Sequence, residues 1–158
     1  MAQVVGIGLD LTLLSRMRSA YMRHGTRLAA KMLHPDEMRE FASLVRSNED
    51  VRGCSGGDSS SGGGGGGGGD DRNRSTRFLA SRWAAKEAAY KAVGRRGLAF
   101  PHLRVHGGGR GAPGIELATQ EARHVAAHVQ SLLLTLTHDG DYVAAMLVAL
   151  SPPSPPSQ

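Results

Sequence analysis

In residues 76–94, TRFLASRWAAKEAAYKAVG, Phe78, Leu79, Ala80, Trp83, Ala84, Ala88 and Ala92 supply an apolar stripe with many small residues. The spacing predicts a helix over 76–93, with Ser75 as N-cap and Gly94 as the C-terminal stop. Most of the stripe is alanine, so another element can approach the helix axis closely. Glu87 and Lys91 lie four apart and share a face. On spacing alone they are an ordinary surface ion pair worth a few tenths of a kcal/mol. Their surroundings are less ordinary: from Arg72 to Arg96 the chain carries Glu87 as its sole acid among many bases.

Working outward, residues 3–9 (QVVGIGL) read as a strand that ends at Asp10. Val5, Ile7, Leu9 and Leu11 alternate onto one face. Gly6, Gly8 and Asp10 take the other, a face bare enough for a second backbone or a ligand to come close. Helical segments are expected over 12–22, 27–32 and 35–45, broken at Gly25 and restarted at Pro35. Short strands follow at 103–106 and 115–118, then a helix over 119–128. Two apolar strands, 132–137 and 142–150, flank the hairpin signal His138-Asp139-Gly140-Asp141. Helices and hairpins in this mixed order give an α+β fold rather than a parallel α/β sheet.

The chain has 158 residues, 40% of them apolar and 4% aromatic. That is one domain, spanning 1–150, with an aliphatic core. Eleven of its 22 glycines fall between Gly53 and Gly69, eight of them as the run 62–69. Segment 47–75 therefore reads as a flexible Gly/Ser-rich insertion, and the Pro-rich tail 151–158 as disordered. The glycine run lacks the Lys-Ser/Thr of a phosphate-binding P-loop. One cysteine, Cys54, excludes an internal disulfide and a cysteine-built zinc site. His124 and His128 lack the Glu of a zinc-binding His-Glu-x-x-His. With no apolar run near the ~20 residues of a membrane span, and a strand starting by Val4, the reading is a soluble cytoplasmic protein. A mitochondrial or plastid role stays open. The net charge of +5 calls for an anionic partner. Arg16, Arg18, Arg23, Arg27 and Lys31 occur between Asp10 and Asp36 with no acid among them.

Three motifs in order, GIGLDL at 6–11, RWAAKEAAYKAVG at 82–94 and LTLTH at 134–138, resemble the signatures of the holo-[acyl-carrier-protein] synthase family, the small 4′-phosphopantetheinyl transferases. The middle motif is long and matches at nearly every fixed position. The likeness covers about residues 4–46 and 76–150.

The resemblance implies an antiparallel sheet packed on a long central helix. It also implies transfer of the phosphopantetheine arm of coenzyme A to a serine of an apo acyl carrier protein, leaving adenosine 3′,5′-bisphosphate. By the same likeness Asp10 and Glu87 are the Mg²⁺ ligands, and Glu87 and Lys91 the catalytic pair. Arg82, Lys86, Lys91 and His138 are expected to hold the coenzyme's phosphates. Arg16, Arg23 and Arg27 are expected to dock the acidic carrier. The family assembles as homotrimers with the active site between subunits, and His138 would come from a neighbour. The acceptor of the serine proton stays open between Glu87 and a metal-associated water. Two departures stand out: Leu133 where relatives often carry a polar residue, and a short turn at Arg95-Arg96-Gly97. Competing readings are a non-catalytic paralogue that binds carrier protein, and a basic nucleic-acid-binding module. The second is poorly supported, with three Phe and three Tyr for base stacking. The expectation is no nucleic-acid partner and no membrane.

Overall fold

The computed structural model describes residues 2–53, 70–94, 97–107 and 111–153, as backbone alone at 47–53 and 70–73. The glycine run, Cys54, the Arg95–Arg96 turn and residues 154–158 lie outside the described residues. Strand β1 (Val4–Leu13) leads into α1 (Leu14–His24), α2 (Thr26–Met32), α3 (Pro35–Gly53) and α4 (Asp70–Val93). A 3-10 turn at Phe100–His102 precedes β2 (Leu103–His106), β3 (Gly114–Leu117), α5 (Gln120–Val125), β4 (Ser131–Asp139) and β5 (Tyr142–Leu150). The α+β expectation holds. An antiparallel sheet in the order β1-β5-β4 covers one side of α4, and β2-β3 form a separate hairpin.

Several boundaries differ from the sequence reading. β1 runs on to Leu13, because Asp10, Leu11, Thr12 and Leu13 continue the ladder against Ala145, Ala144, Val143 and Tyr142. Asp10 therefore sits inside the strand, not at its end. Helices α3 and α4 extend into the expected coil, to Gly53 and from Asp70, so Ser75 lies within α4 instead of capping it. Nothing in a Ser/Asn/Asp/Arg sequence forbids helix once a neighbouring turn has nucleated it, since propagation adds one bond per residue. α5 stops at Val125, so His124 and His128 do not share a helix.

Helix α4 is the core. Phe78, Leu79, Ala80, Ala84, Ala85, Ala88, Ala89, Ala92 and Val93 are all buried, which takes in most of its circumference. The glycine face of β1 lies directly on it. A Cβ built on Gly6 would stand 1.8 Å from the Ala92 carbonyl oxygen, and one on Gly8 1.8 Å from that of Ala88. Of the two options left open for that bare face, a second backbone is the occupant. The step matches: four helical residues rise about 6 Å, and two strand residues about 6.7 Å. Gly6 meets Ala92, Gly8 meets Ala88, and the next inward residue, Asp10, falls level with the turn that carries Glu87.

The opposite face of the sheet is apolar and is left uncovered by the described residues. Ile7, Leu9 and Leu11 are 61%, 63% and 62% exposed, and Val5, Leu133, Tyr142 and Met146 are exposed beside them. Among the described residues no helix is long and apolar enough to cross a membrane.

Candidate active site

Asp10, Leu11 and Thr12 of β1, Arg16, Met17 and Ala20 of α1, Leu28 of α2, and Trp83 and Glu87 of α4 enclose a cavity of about 400 Å³. The two expected carboxylates thus meet in one space, though 77 residues separate them in the chain. Asp10 is held from both sides. Its Oδ1 accepts from the Lys91 ammonium at 2.8 Å, and its Oδ2 accepts from the Thr12 hydroxyl at 3.0 Å. The same ammonium donates to the Leu9 carbonyl at 2.9 Å. Glu87 is half-buried and makes no hydrogen bond or ion pair among the described residues. Trp83 stacks edge-on against Phe100, ring centres 5.1 Å apart, which fixes the indole in the cavity wall.

Two residues expected at the coenzyme lie elsewhere. Lys86 is fully buried, with its ammonium 2.5 Å from Glu37 Oε2 and 2.8 Å from the Met32 carbonyl. Glu37 also accepts from the backbone N–H groups of His34 and Val105. An ammonium so enclosed cannot meet a phosphate. One helical residue turns the side chain by about 100°, which sends Lys86 to the α3 side of α4 and Glu87 to the cavity. Arg82 follows Lys86. Its guanidinium lies 3.8 Å over the Phe78 ring and 3.4 Å from Glu40 Oε2, and it does not line the cavity. Burial pushes the Arg82 and Lys86 side chains below their usual ranges, against the pull of Glu37 on both and of Glu40 on Arg82.

His138 stands exposed on the outer strand β4, paired with Val143, which pairs in turn with Thr12. It shares the α4-facing side of the sheet, but two strand spacings, about 10 Å, separate its backbone from that of Thr12. Within one chain it is not a wall of the cavity.

Of the three arginines expected to dock a carrier, Arg16 lines the first cavity. Arg23 and Arg27 line a second, of about 410 Å³, with His24, Leu28 and Lys31. Leu28 belongs to both, so the basic surface runs into the carboxylate site. Sequence reasoning passed over Thr12 and His24, and named Lys31 only among the bases of its segment. Thr12 carried a signal, since it lies two residues from Asp10 and therefore on its face of the strand. His24 and Lys31 are one and two turns from Arg27 and Arg23 but are brought into line only by the bend at Gly25.

The profile of the 4′-phosphopantetheinyl transferase superfamily matches residues 6–147. A holo-[acyl-carrier-protein] synthase from Bordetella pertussis is 32% identical, the alignment covering 96% of this chain and 86% of that protein. Among solved structures, the holo-ACP synthase of Plasmodium yoelii superposes with a TM-score of 0.72 at 19% identity, covering 97% of this chain and 99% of that one. The Helicobacter pylori holo-[acyl-carrier-protein] synthase, solved in complex with coenzyme A, superposes with a TM-score of 0.59 at 20% identity, covering 90% and 98%. The likeness therefore extends over the whole fold.

Proposed function

The chain belongs to the 4′-phosphopantetheinyl transferase superfamily, in its holo-[acyl-carrier-protein] synthase family, and from that premise we propose that it moves 4′-phosphopantetheine from coenzyme A to a serine of an apo acyl carrier protein. The observation that carries this is the convergence of Asp10 and Glu87 on one cavity whose wall includes Arg16. In the reaction the serine oxygen bonds to the phosphorus that bears pantetheine. The bond from that phosphorus to the bridging oxygen breaks, and adenosine 3′,5′-bisphosphate leaves.

The donor set suits Mg²⁺. Among the described residues no three His, Cys, Asp or Glu side chains gather as a metal group. Two carboxylates facing a cavity fit an ion that completes its shell with phosphate oxygens and water. Asp10 and Glu87 would hold it, and it would neutralise the diphosphate and the charge that develops on the leaving group. Thr12 fixes the Asp10 carboxylate through Oδ2, leaving Oδ1 toward α4. Lys91 supplies a cation one turn from Glu87. Glu87, or a water held by the same carboxylates, takes the serine proton.

The basic stripe Arg16, Arg23, Arg27 and Lys31 is suited to an acidic carrier, and Leu28 joins that surface to the chemistry. The uncovered apolar face of the sheet supports assembly into homotrimers, since a monomer rarely exposes so continuous a patch. In such an assembly His138, exposed at the sheet edge, would complete a neighbour's site.

The test is intact-mass analysis of an apo carrier protein incubated with this protein, coenzyme A and Mg²⁺, beside an EDTA control. A gain of one phosphopantetheine that EDTA abolishes is the expected result. No gain with several carriers, from folded protein, favours the non-catalytic carrier-binding reading.

A further inference from the structure

Both oxygens of Asp10 are engaged by the chain itself. The Thr12 hydroxyl takes Oδ2 and the Lys91 ammonium takes Oδ1, with the Leu9 carbonyl as that ammonium's second acceptor. Glu87, one turn before Lys91, faces the same cavity without a partner among the described residues. The two carboxylates proposed to share a divalent cation are thus unequal: one is free, and the other is neutralised by a lysine. A divalent ion that reaches Asp10 must share Oδ1 with an ammonium of like charge, or the ammonium must leave.

Lys91 is able to leave. Its side chain is 48% exposed, against 14% for Asp10, and it is tethered at its tip on a flexible four-carbon stem. Lys86 offers the contrast, fully buried and committed to Glu37 and Met32. What Lys91 needs is another anion within reach; it does not itself line the cavity, but its ammonium already touches Asp10 in the cavity wall, so a coenzyme diphosphate bound there provides one.

We propose that Lys91 couples metal and coenzyme binding: it occupies Asp10 Oδ1 until the coenzyme's phosphates accept it, and its transfer to them opens Asp10 to the divalent cation. The inference rests on the reading of Asp10 and Glu87 as a metal pair. Each ligand then strengthens the other, and linkage makes the factor the same in both directions.

The experiment measures Mn²⁺ affinity of the full chain from the resonance of the free ion, with and without saturating coenzyme A, corrected for Mn²⁺ bound by coenzyme alone. Wild-type protein should bind Mn²⁺ about tenfold or more tightly when coenzyme is present. In Lys91→Met the coenzyme-free affinity should rise and the enhancement should shrink by at least about fivefold, the direct phosphate–metal contacts accounting for what is left. Lys91→Arg, which keeps a cation, should retain most of the enhancement and rules out a general disturbance of the helix. Equal enhancement in wild type and Lys91→Met would overturn the proposal while leaving the metal pair standing. Mn²⁺ binding that survives Asp10→Asn unchanged, or is absent from wild type in both states, would instead remove the metal-pair reading and this proposal with it.

Discussion

Asp10 and Glu87 differ from the other carboxylates of the chain in what surrounds them, and that difference sets what their loss should do. Neither is part of the core, so Asp10→Ala and Glu87→Ala should keep the fold while lowering phosphopantetheine transfer by at least about 10²-fold, as removal of a group that stabilises transition-state charge does. Intact-mass time courses beside thermal melts check both halves. Glu37 should behave in the opposite way. It is fully buried and anchors Lys86, so Glu37→Gln strands an enclosed charge, at about 3–5 kcal/mol of stability near neutral pH. The pH dependence follows from Lys86, whose pKa burial lowers from 10.5. Between the lowered value and 10.5 the unfolded chain binds more protons there than the folded chain, so stability rises with pH across that window. Removing the opposing Glu37 charge lowers the folded value further and widens the window downward. Glu37→Gln should therefore regain part of its lost Tm as pH is raised, and a flat profile would contradict this. The sequence distinguished Glu87 because it is the sole acid in a basic segment. It put Lys91 on the face of Glu87 but could not send Lys86 into the core, since helical phase becomes an address only when the neighbours of each face are known.

At the scale of elements, the contact between β1 and α4 sets the site. Gly6 and Gly8 bring strand and helix so close that Asp10 arrives beside Glu87 and Lys91. Gly8→Ala would drive a methyl group into the Ala88 carbonyl, 1.8 Å from the built Cβ. The expected loss is about 3 kcal/mol or more, read from urea unfolding. The turn between β4 and β5 does further work on α1. Asp141 accepts from the Ser15 N–H at 3.0 Å and the Ser15 hydroxyl at 2.5 Å, and its own carbonyl accepts from Leu14 N–H. It caps from a distant part of the chain a helix that has no side-chain cap of its own. Asp141→Ala should cost about 1 kcal/mol. Element types were legible wherever periodicity was strong, as in β1, α4 and the closing hairpin. Ends were legible less often. Extension of β1 past Asp10 depends on β5, at the other end of the described sheet in sequence, and the Asp141 cap on a contact that no local pattern records.

For the whole molecule, two surfaces lead outward, one basic and one apolar. Docking through Arg16, Arg23 and Arg27 should weaken with salt: raising ionic strength to about 0.5 M should increase KM for the carrier with little effect on kcat. A carrier KM indifferent to salt would remove electrostatics from the encounter. Leu9→Asp places a charge at the centre of the exposed sheet face. It should shift light-scattering mass from an assembly to a single chain and reduce turnover if a neighbour supplies His138. Sheet order carries one more consequence, for biosynthesis. β1 is made long before β5, its sheet partner among the described residues. Until β5 is made, the backbone of β1 lacks its ladder partner, so the nascent chain carries an unpaired strand edge. Synthesis of β5, more than the emergence of any helix, is then the event that completes the sheet carrying Asp10 to Glu87.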